Sequence, residues 1–202
     1  MNTHDAGKDA PMNHERVAEL MRQLILEIGE DPNREGLRKT PERAAAAWAH
    51  LTAGYHMEPQ TVINNAVFES HANNMIILRD IEIFSLCEHH MLPFFGQCHI
   101  GYVARDKVLG ASKLARIMDC YARRLQIQER LTAQIAREIS EAVDAEGVGV
   151  VLECRHLCMM MRGVQKQHSV MVTSSVLGTF RSRAATRAEF LELIRRPAAG
   201  LS

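Results

Sequence analysis

The segment from about Met75 to Leu86 carries the strongest fold constraint in the chain. Within it Ile81 and Ile83 alternate with Asp80 and Glu82, so one face is apolar and the other is wet. That two-residue period marks a strand with one buried face, which is the habit of antiparallel sheets. A second strand is expected over about Gln97–Ala104, with Pro93–Gly96 as the turn between them. Val148–Glu153 and Ser169–Val176 read as two more strands.

Helical spacing fills the intervals. Ser112 is the expected cap of a helix whose apolar side holds Leu114, Ile117, Met118, Tyr121 and Leu125. A second helix runs from about Gln128 with Leu131, Ile135, Ile139 and Val143 at steps of four, and Gly147 is expected to end it. A last helix opens at Thr186, where Glu189 completes a capping box, and buries Phe190, Leu191 and Ile194. Upstream, Val17, Leu20, Met21, Leu24, Ile25 and Ile28 predict an amphipathic helix over about 11–28. Thr40-Pro41-Glu42 is a helix start, with a hydroxyl cap and proline in the first turn. That helix runs to about Thr52, and Gly54 is placed to end it. Strands and helices thus come in pairs, which favours an α+β fold over a parallel doubly wound sheet. Residues 1–65 form a polar tail and a helical segment, with an irregular connection at 55–65. Residues 66–202 are expected to form the sheet-bearing domain.

Composition narrows the function. The chain has 202 residues, 47% of them hydrophobic, enough for one domain with a real core. Lys+Arg and Asp+Glu both total 24, so the overall charge points to no nucleic-acid or membrane partner. No segment has the length of an apolar membrane span, and the first 16 residues carry no signal-like apolar run. The five cysteines are therefore expected to be cytoplasmic thiols, suited to metal binding or reactivity more than to disulfides.

The expected first strand ends in Ser85-Leu86-Cys87-Glu88-His89-His90. Cys87 and His90 have the Cys-x-x-His spacing that lets one segment reach a single zinc ion, which favours thiolate and imidazole. His156-Leu157-Cys158 lies far downstream. If Cys158 closes onto the same ion, three protein ligands leave a fourth position for water, as in catalytic zinc sites. Spacing alone leaves open a structural zinc with a fourth ligand from His89, His156 or Cys154. If the strand from Val148 extends far enough, His156 and Cys158 share a side.

Ser112, Lys113 and Arg116 make a separate pattern. They surround a helix N-terminus, which attracts anions, and Lys113 and Arg116 are three apart on one face. Arg162 is a further forked donor for a phosphate chain. A wet helix face explains Lys113 and Arg116 equally well, and a solvated surface charge explains Arg43. Glu129 suits the start of its helix for dipole reasons alone, while its functional alternative is to accept two N–H bonds from a guanine-like edge. Met159–Met161 reads as core or interface packing.

Taken together, Cys87-Glu-His-His90, Gly110-Ala-Ser-Lys-Leu-Ala-Arg116, Gln126-Ile-Gln-Glu-Arg-Leu131, His156-Leu-Cys-Met-Met-Met-Arg-Gly-Val164 and Thr40-Pro-Glu-Arg43 resemble GTP cyclohydrolase I, in order, from about Leu20 to Ile194. The resemblance implies a T-fold, an antiparallel four-stranded sheet with two helices on one face, following the N-terminal helical segment. It implies Zn2+ on Cys87, His90 and Cys158, and acid–base roles for His89 and His156. Glu129 would recognise guanine, and Ser112 would assist at the ribose. Lys113, Arg116 and Arg162 would hold the triphosphate, with Arg43 reaching in from the helical segment, possibly that of a neighbouring subunit. The implied substrate is GTP, with 7,8-dihydroneopterin triphosphate and formate as products. The implied assembly is a homodecamer of two stacked pentamers with active sites between subunits. Two alternatives stand beside it: another T-fold enzyme acting on a pterin or deazapurine, and a zinc-stabilised interaction module without activity.

Overall fold

In the computed structural model, residues 11–70 and 74–195 are described, so the expected tail at 1–10 lies outside them. Helix α1 (His14–Glu27) starts where Asn13 accepts a hydrogen bond from the Arg16 amide at 2.9 Å. Of its apolar stripe only Ile25 is buried, while Leu20 and Leu24 are about half exposed. Helix α2 (Thr40–Leu51) carries Pro41 in its first turn, as expected, but Lys39 takes the cap position. The Thr40 hydroxyl lies inside the helix and donates to the Gly36 carbonyl. The connection expected to be irregular is instead ordered by a 3-10 turn (Ala53–His56) and the short helix α3 (Pro59–Ile63). The Gly54 amide donates to the Arg123 carbonyl and the Arg124 side chain donates to the Gly54 carbonyl, tying this segment to the domain behind it.

The sheet follows. A small pair, β1 (Val67–Glu69) with β4 (Lys107–Leu109), stands apart. The main sheet has β2 (Met75–Cys87), β3 (Pro93–Val103), β5 (Leu125–Gln126), β6 (Gly147–His156) and β7 (Met171–Gly178) in the order β5-β2-β3-β6-β7. Its four long strands are antiparallel, and the two-residue β5 lies parallel to the end of β2. Helices α4 (Ala111–Ala122) and α5 (Gln128–Val143) cover one face. Val148, Val150, Leu152 and Cys154 of β6 share a core there with Leu114, Ile117, Leu131, Ile135 and Ile139. Burying each large aliphatic side chain of that set contributes about 1.5–3 kcal/mol. On the other face, Phe180 of α7 (Thr179–Ser182) and Phe190 of α8 (Ala184–Arg195) meet edge-on at 5.4 Å. They press on Gly149, where a Cβ would come within 2.6 Å of the Phe180 ring.

One irregularity sets which side of β2 faces the helices. Leu78 pairs with Ile100 and Ile81 with Cys98, so Arg79 and Asp80 together oppose His99. This bulge shifts the alternation by one residue. Ile76 and Leu78 face the helices before it, and Ile81, Ile83 and Cys87 face them after it. Asp80 takes a left-handed conformation (φ 58°), and its amide donates to Nδ1 of the buried His99 at 3.1 Å.

Several expected boundaries move. Pro93–Gly96 is not the hairpin turn: Pro93 opens β3, at the strand position where a missing N–H is tolerated. Ser112 does not cap α4, since Gly110 occupies that position and Ser112 lies exposed within the first turn. Leu125, expected on that helix's apolar side, belongs to β5. Helix α5 ends on Asp144 in a left-handed conformation, and Gly147 begins β6 instead. Helix α8 begins two residues before Thr186, which therefore does not start it.

Candidate active site

The true hairpin turn between β2 and β3 is the motif itself. The Cys87 amide donates to the Leu92 carbonyl at 2.9 Å and the Met91 amide to the Cys87 carbonyl at 2.8 Å, with Met91 left-handed (φ 55°). Glu88, His89 and His90 thus sit at the tip of a hairpin whose strands run deep into the sheet. Strand β5 braces the tip: Cys87 pairs with Gln126, and the Glu88 amide donates to the Gln126 carbonyl at 3.0 Å. Arg130, in the first turn of α5, bonds the Glu88 carboxylate and reaches the Gln126 side-chain oxygen at 3.0 Å.

Strand β6 delivers the second cluster. It ends at His156, which pairs with Phe94. The short helix α6 (Leu157–Met160) follows at once. The extension needed to give His156 and Cys158 strand parity is therefore absent, and the helical turn carries Cys158 toward Cys87 instead. The two sulfurs are 4.0 Å apart, and His90 Nδ1 is 4.0 Å from the Cys87 sulfur. The three ligand atoms lie within 4.8 Å of one another, a group that does not include His89, His156 or Cys154. A tetrahedral zinc with Zn–S of about 2.3 Å sets its ligand atoms roughly 3.5–3.8 Å apart, so this donor set fits such an ion with small adjustments. Burial, followed by the adjacent Cys87 sulfur, pushes the Cys158 thiol up. A cation held between the two sulfurs reverses that preference by favouring thiolates.

Around this group the remaining expected residues divide. His89 Nδ1 is 3.7 Å from the Cys87 sulfur, and its ring is exposed. Arg162 approaches His90 Nε2 at 2.9 Å. His156 stacks on Phe94 with centroids 4.6 Å apart and an interplanar angle of 7°. Burial pulls its pKa below the ordinary histidine value, against the opposing pull of the Glu129 carboxylate. Glu129 itself is exposed in the first turn of α5. Other residues are not gathered here. The Lys113 ammonium donates to the Val62 carbonyl of α3 at 2.8 Å. Arg116 is exposed on α4, and Arg43 lines a separate cleft with Glu35, Arg38 and Lys39. Met159 and Met161 are exposed and take no part in the core of the chain.

Sequence reasoning passed over Phe94 and Gln128. Gln128 accepts a hydrogen bond from His156 and is only 1% exposed. Its signal was present: Gln128 and Thr132 put two polar residues on the face that Leu131 and Ile135 make apolar.

Four antiparallel strands with a helix pair on one face make a T-fold, here one with a metal-type donor group at the end of its central hairpin. The family model described as GTP cyclohydrolase I matches residues 17–195. A protein of Methylococcus capsulatus named GTP cyclohydrolase 1 is 61% identical over 183 residues, spanning 91% of this chain and 99% of the relative. Relatives of the same name from Teredinibacter turnerae and Coxiella burnetii are 59% and 56% identical, over 88% and 89% of this chain and 96% and 98% of their own lengths. The chain belongs to the GTP cyclohydrolase I family, and it is an enzyme with GTP cyclohydrolase activity.

Proposed function

We propose that this enzyme hydrolyses GTP to 7,8-dihydroneopterin triphosphate and formate with Zn2+ on Cys87, His90 and Cys158, supplying pterin and folate synthesis. The observation that carries this reading is the convergence of those three donors, from the β2–β3 hairpin and from α6, with His156 stacked on Phe94 two residues before Cys158. When bound, the ion supplies the Lewis acidity that activates water near neutral pH. The chain's own groups do the rest. His156 and His89 move protons to and from the purine during ring opening, work suited to imidazole. Glu129 orients guanine, and Ser112 assists the later handling of the ribose. Lys113, Arg116, Arg162 and Arg43 bind the triphosphate.

The same reading includes homo-oligomeric assembly, as two stacked pentamers, with sites shared between chains. Two features support sharing. Lys113 and Arg43 stand away from the cysteine–histidine group within one chain. Strand β7 forms an edge of the sheet and exposes Val172, and α1 exposes Leu20 and Leu24, surfaces that another copy can cover. The enzyme is expected to act in the cytoplasm, and no described helix is long and apolar enough to cross a membrane. Incubating the zinc-loaded protein with GTP should yield formate together with a pterin that fluoresces after oxidation, and both should vanish on chelation. Formate without pterin would remove the sugar rearrangement from the reading. Neither product from an intact, zinc-containing assembly would overturn it.

A further inference from the structure

Gln128 sits at the start of α5, is 1% exposed, and spends every polar atom of its side chain. Its Nε2 lies 2.9 Å from the Met171 carbonyl oxygen, 3.1 Å from Thr173 Oγ1 and 3.2 Å from the Leu152 carbonyl oxygen. Its Oε1 lies 2.8 Å from His156 Nε2. Backbone carbonyls only accept, so the amide nitrogen must face them. The reverse orientation would set a side-chain oxygen against two carbonyl oxygens in a dry site.

Two threonines lock that orientation. The Thr132 hydroxyl donates to the Gln128 carbonyl at 2.6 Å and lies 2.7 Å from Thr173 Oγ1. A hydroxyl has one proton, so Thr173 must donate to Thr132, which leaves its oxygen able only to accept from the Gln128 amide, whose two hydrogens are shared among three acceptors. The protons then run one way round a closed ring of Gln128, Thr173 and Thr132. Gln128 Oε1 is left as a fixed acceptor, and the His156 nitrogen facing it must carry hydrogen. The Phe94 stack fixes the plane of the same imidazole.

We propose that Gln128 is a positioning residue: through this ring of hydrogen bonds it holds His156 as the Nε2–H tautomer, making Nδ1 the nitrogen that exchanges protons with substrate. The inference rests on the acid–base role proposed above for His156. In the step it specifies, neutral His156 accepts a proton on Nδ1 as water adds to the purine. The imidazolium keeps Nε2–H on Gln128, and the same proton leaves from Nδ1 to a ring nitrogen as the C–N bond opens. One proton enters and one departs, so the residue ends as it began.

The test uses the zinc-loaded, full-length enzyme. Gln128→Met keeps length and removes the acceptor, and should lower kcat for formate release about 10–100-fold, the usual cost of losing a group that orients a functional imidazole. KM for GTP should stay within about threefold, because substrate contacts are untouched. Gln128→Glu is the conservative rescue. Between two carbonyl oxygens it stays protonated, donates to one of them and still offers an acceptor to Nε2–H, so kcat should return to within about tenfold of the parent. Solid-state 15N spectra of histidine-labelled protein read the tautomer directly, with hydrogen on Nε2 of His156 in the parent and a mixture in Gln128→Met. If the methionine variant fails to assemble, Gln128→Glu carries the test by itself: hydrogen should stay on Nε2 of His156 in that variant, and hydrogen on Nδ1 there overturns the proposal. Hydrogen on Nδ1 in the parent, or an unchanged kcat in Gln128→Met, overturns the proposal. A parent enzyme that releases no formate overturns the catalytic reading instead, while the spectra still decide the tautomer.

Discussion

The two halves of the candidate site are built differently. The sulfur and imidazole donors are set by backbone: Cys87 and His90 by a hairpin braced by β5, and Cys158 by a helical turn that begins where β6 stops. The basic residues are set by almost nothing within the chain. Arg43 and Arg116 are exposed, and Lys113 spends its ammonium on a carbonyl of α3. Chemistry that needs atoms placed to a fraction of an ångström is carried by the sheet. In the function proposed above, charge that only has to reach a triphosphate would be carried by long side chains such as those of Lys113, Arg116 and Arg43 on helices, where a neighbouring chain can complete it.

Removing one side from each half separates them. Cys158→Ser should abolish stoichiometric zinc binding and lower formate release on the order of 10³-fold, as for loss of an essential electrostatic group. Full zinc occupancy with normal turnover would take Cys158 out of the donor set. Arg43→Ala should leave zinc content unchanged and raise KM for GTP by roughly 10–100-fold, the value of one charge-assisted phosphate contact. An unchanged KM would dissolve the contrast between the halves.

The scaffold under both halves has its own signature. Burial holds His99 below the ordinary histidine value of 6.5, outweighing the nearby Asp80 and Glu153 carboxylates. The unfolded chain therefore takes up this proton more readily than the folded one. Stability is unaffected above about pH 6.5 and falls as pH drops below it, until the folded protein also protonates. Denaturant titrations at pH 7.5 and pH 5.5 should show a larger acid loss in the parent than in His99→Gln. Equal losses would mean that the bulge histidine does not couple to folding.

How much of this was legible in the sequence follows the same division. The long strands and the helices α4 and α5 announce themselves through apolar periodicity, because one face of each is buried against the other. That Cys87, His90 and Cys158 would come together was readable because few residue types suit a metal. The bulge at Arg79–Asp80 was hidden, since a shift of alternation needs the register of β3 to be seen. Helix starts at Ser112 and Thr186 misled because a hydroxyl in the first turn mimics a cap two or three residues away. Pro93–Gly96 looked like a turn, yet Gly96 serves close strand approach: a Cβ there would lie 1.9 Å from the Glu153 carbonyl oxygen. Gln128 was passed over because its partners come from β6 and β7, far away in sequence.

The central claim is that each chain brings a complete zinc-binding half and borrows Arg43 from a neighbour. Co-assembling Cys158→Ser chains with Arg43→Ala chains tests it most directly. At GTP concentrations well below the raised KM of Arg43→Ala, mixed assemblies should release formate faster than either variant alone, because an Arg43→Ala chain keeps its zinc donors and a Cys158→Ser neighbour supplies the arginine. Verified mixed assemblies no faster, at that GTP concentration, than Arg43→Ala alone would contradict the account and place both halves of the site within one chain.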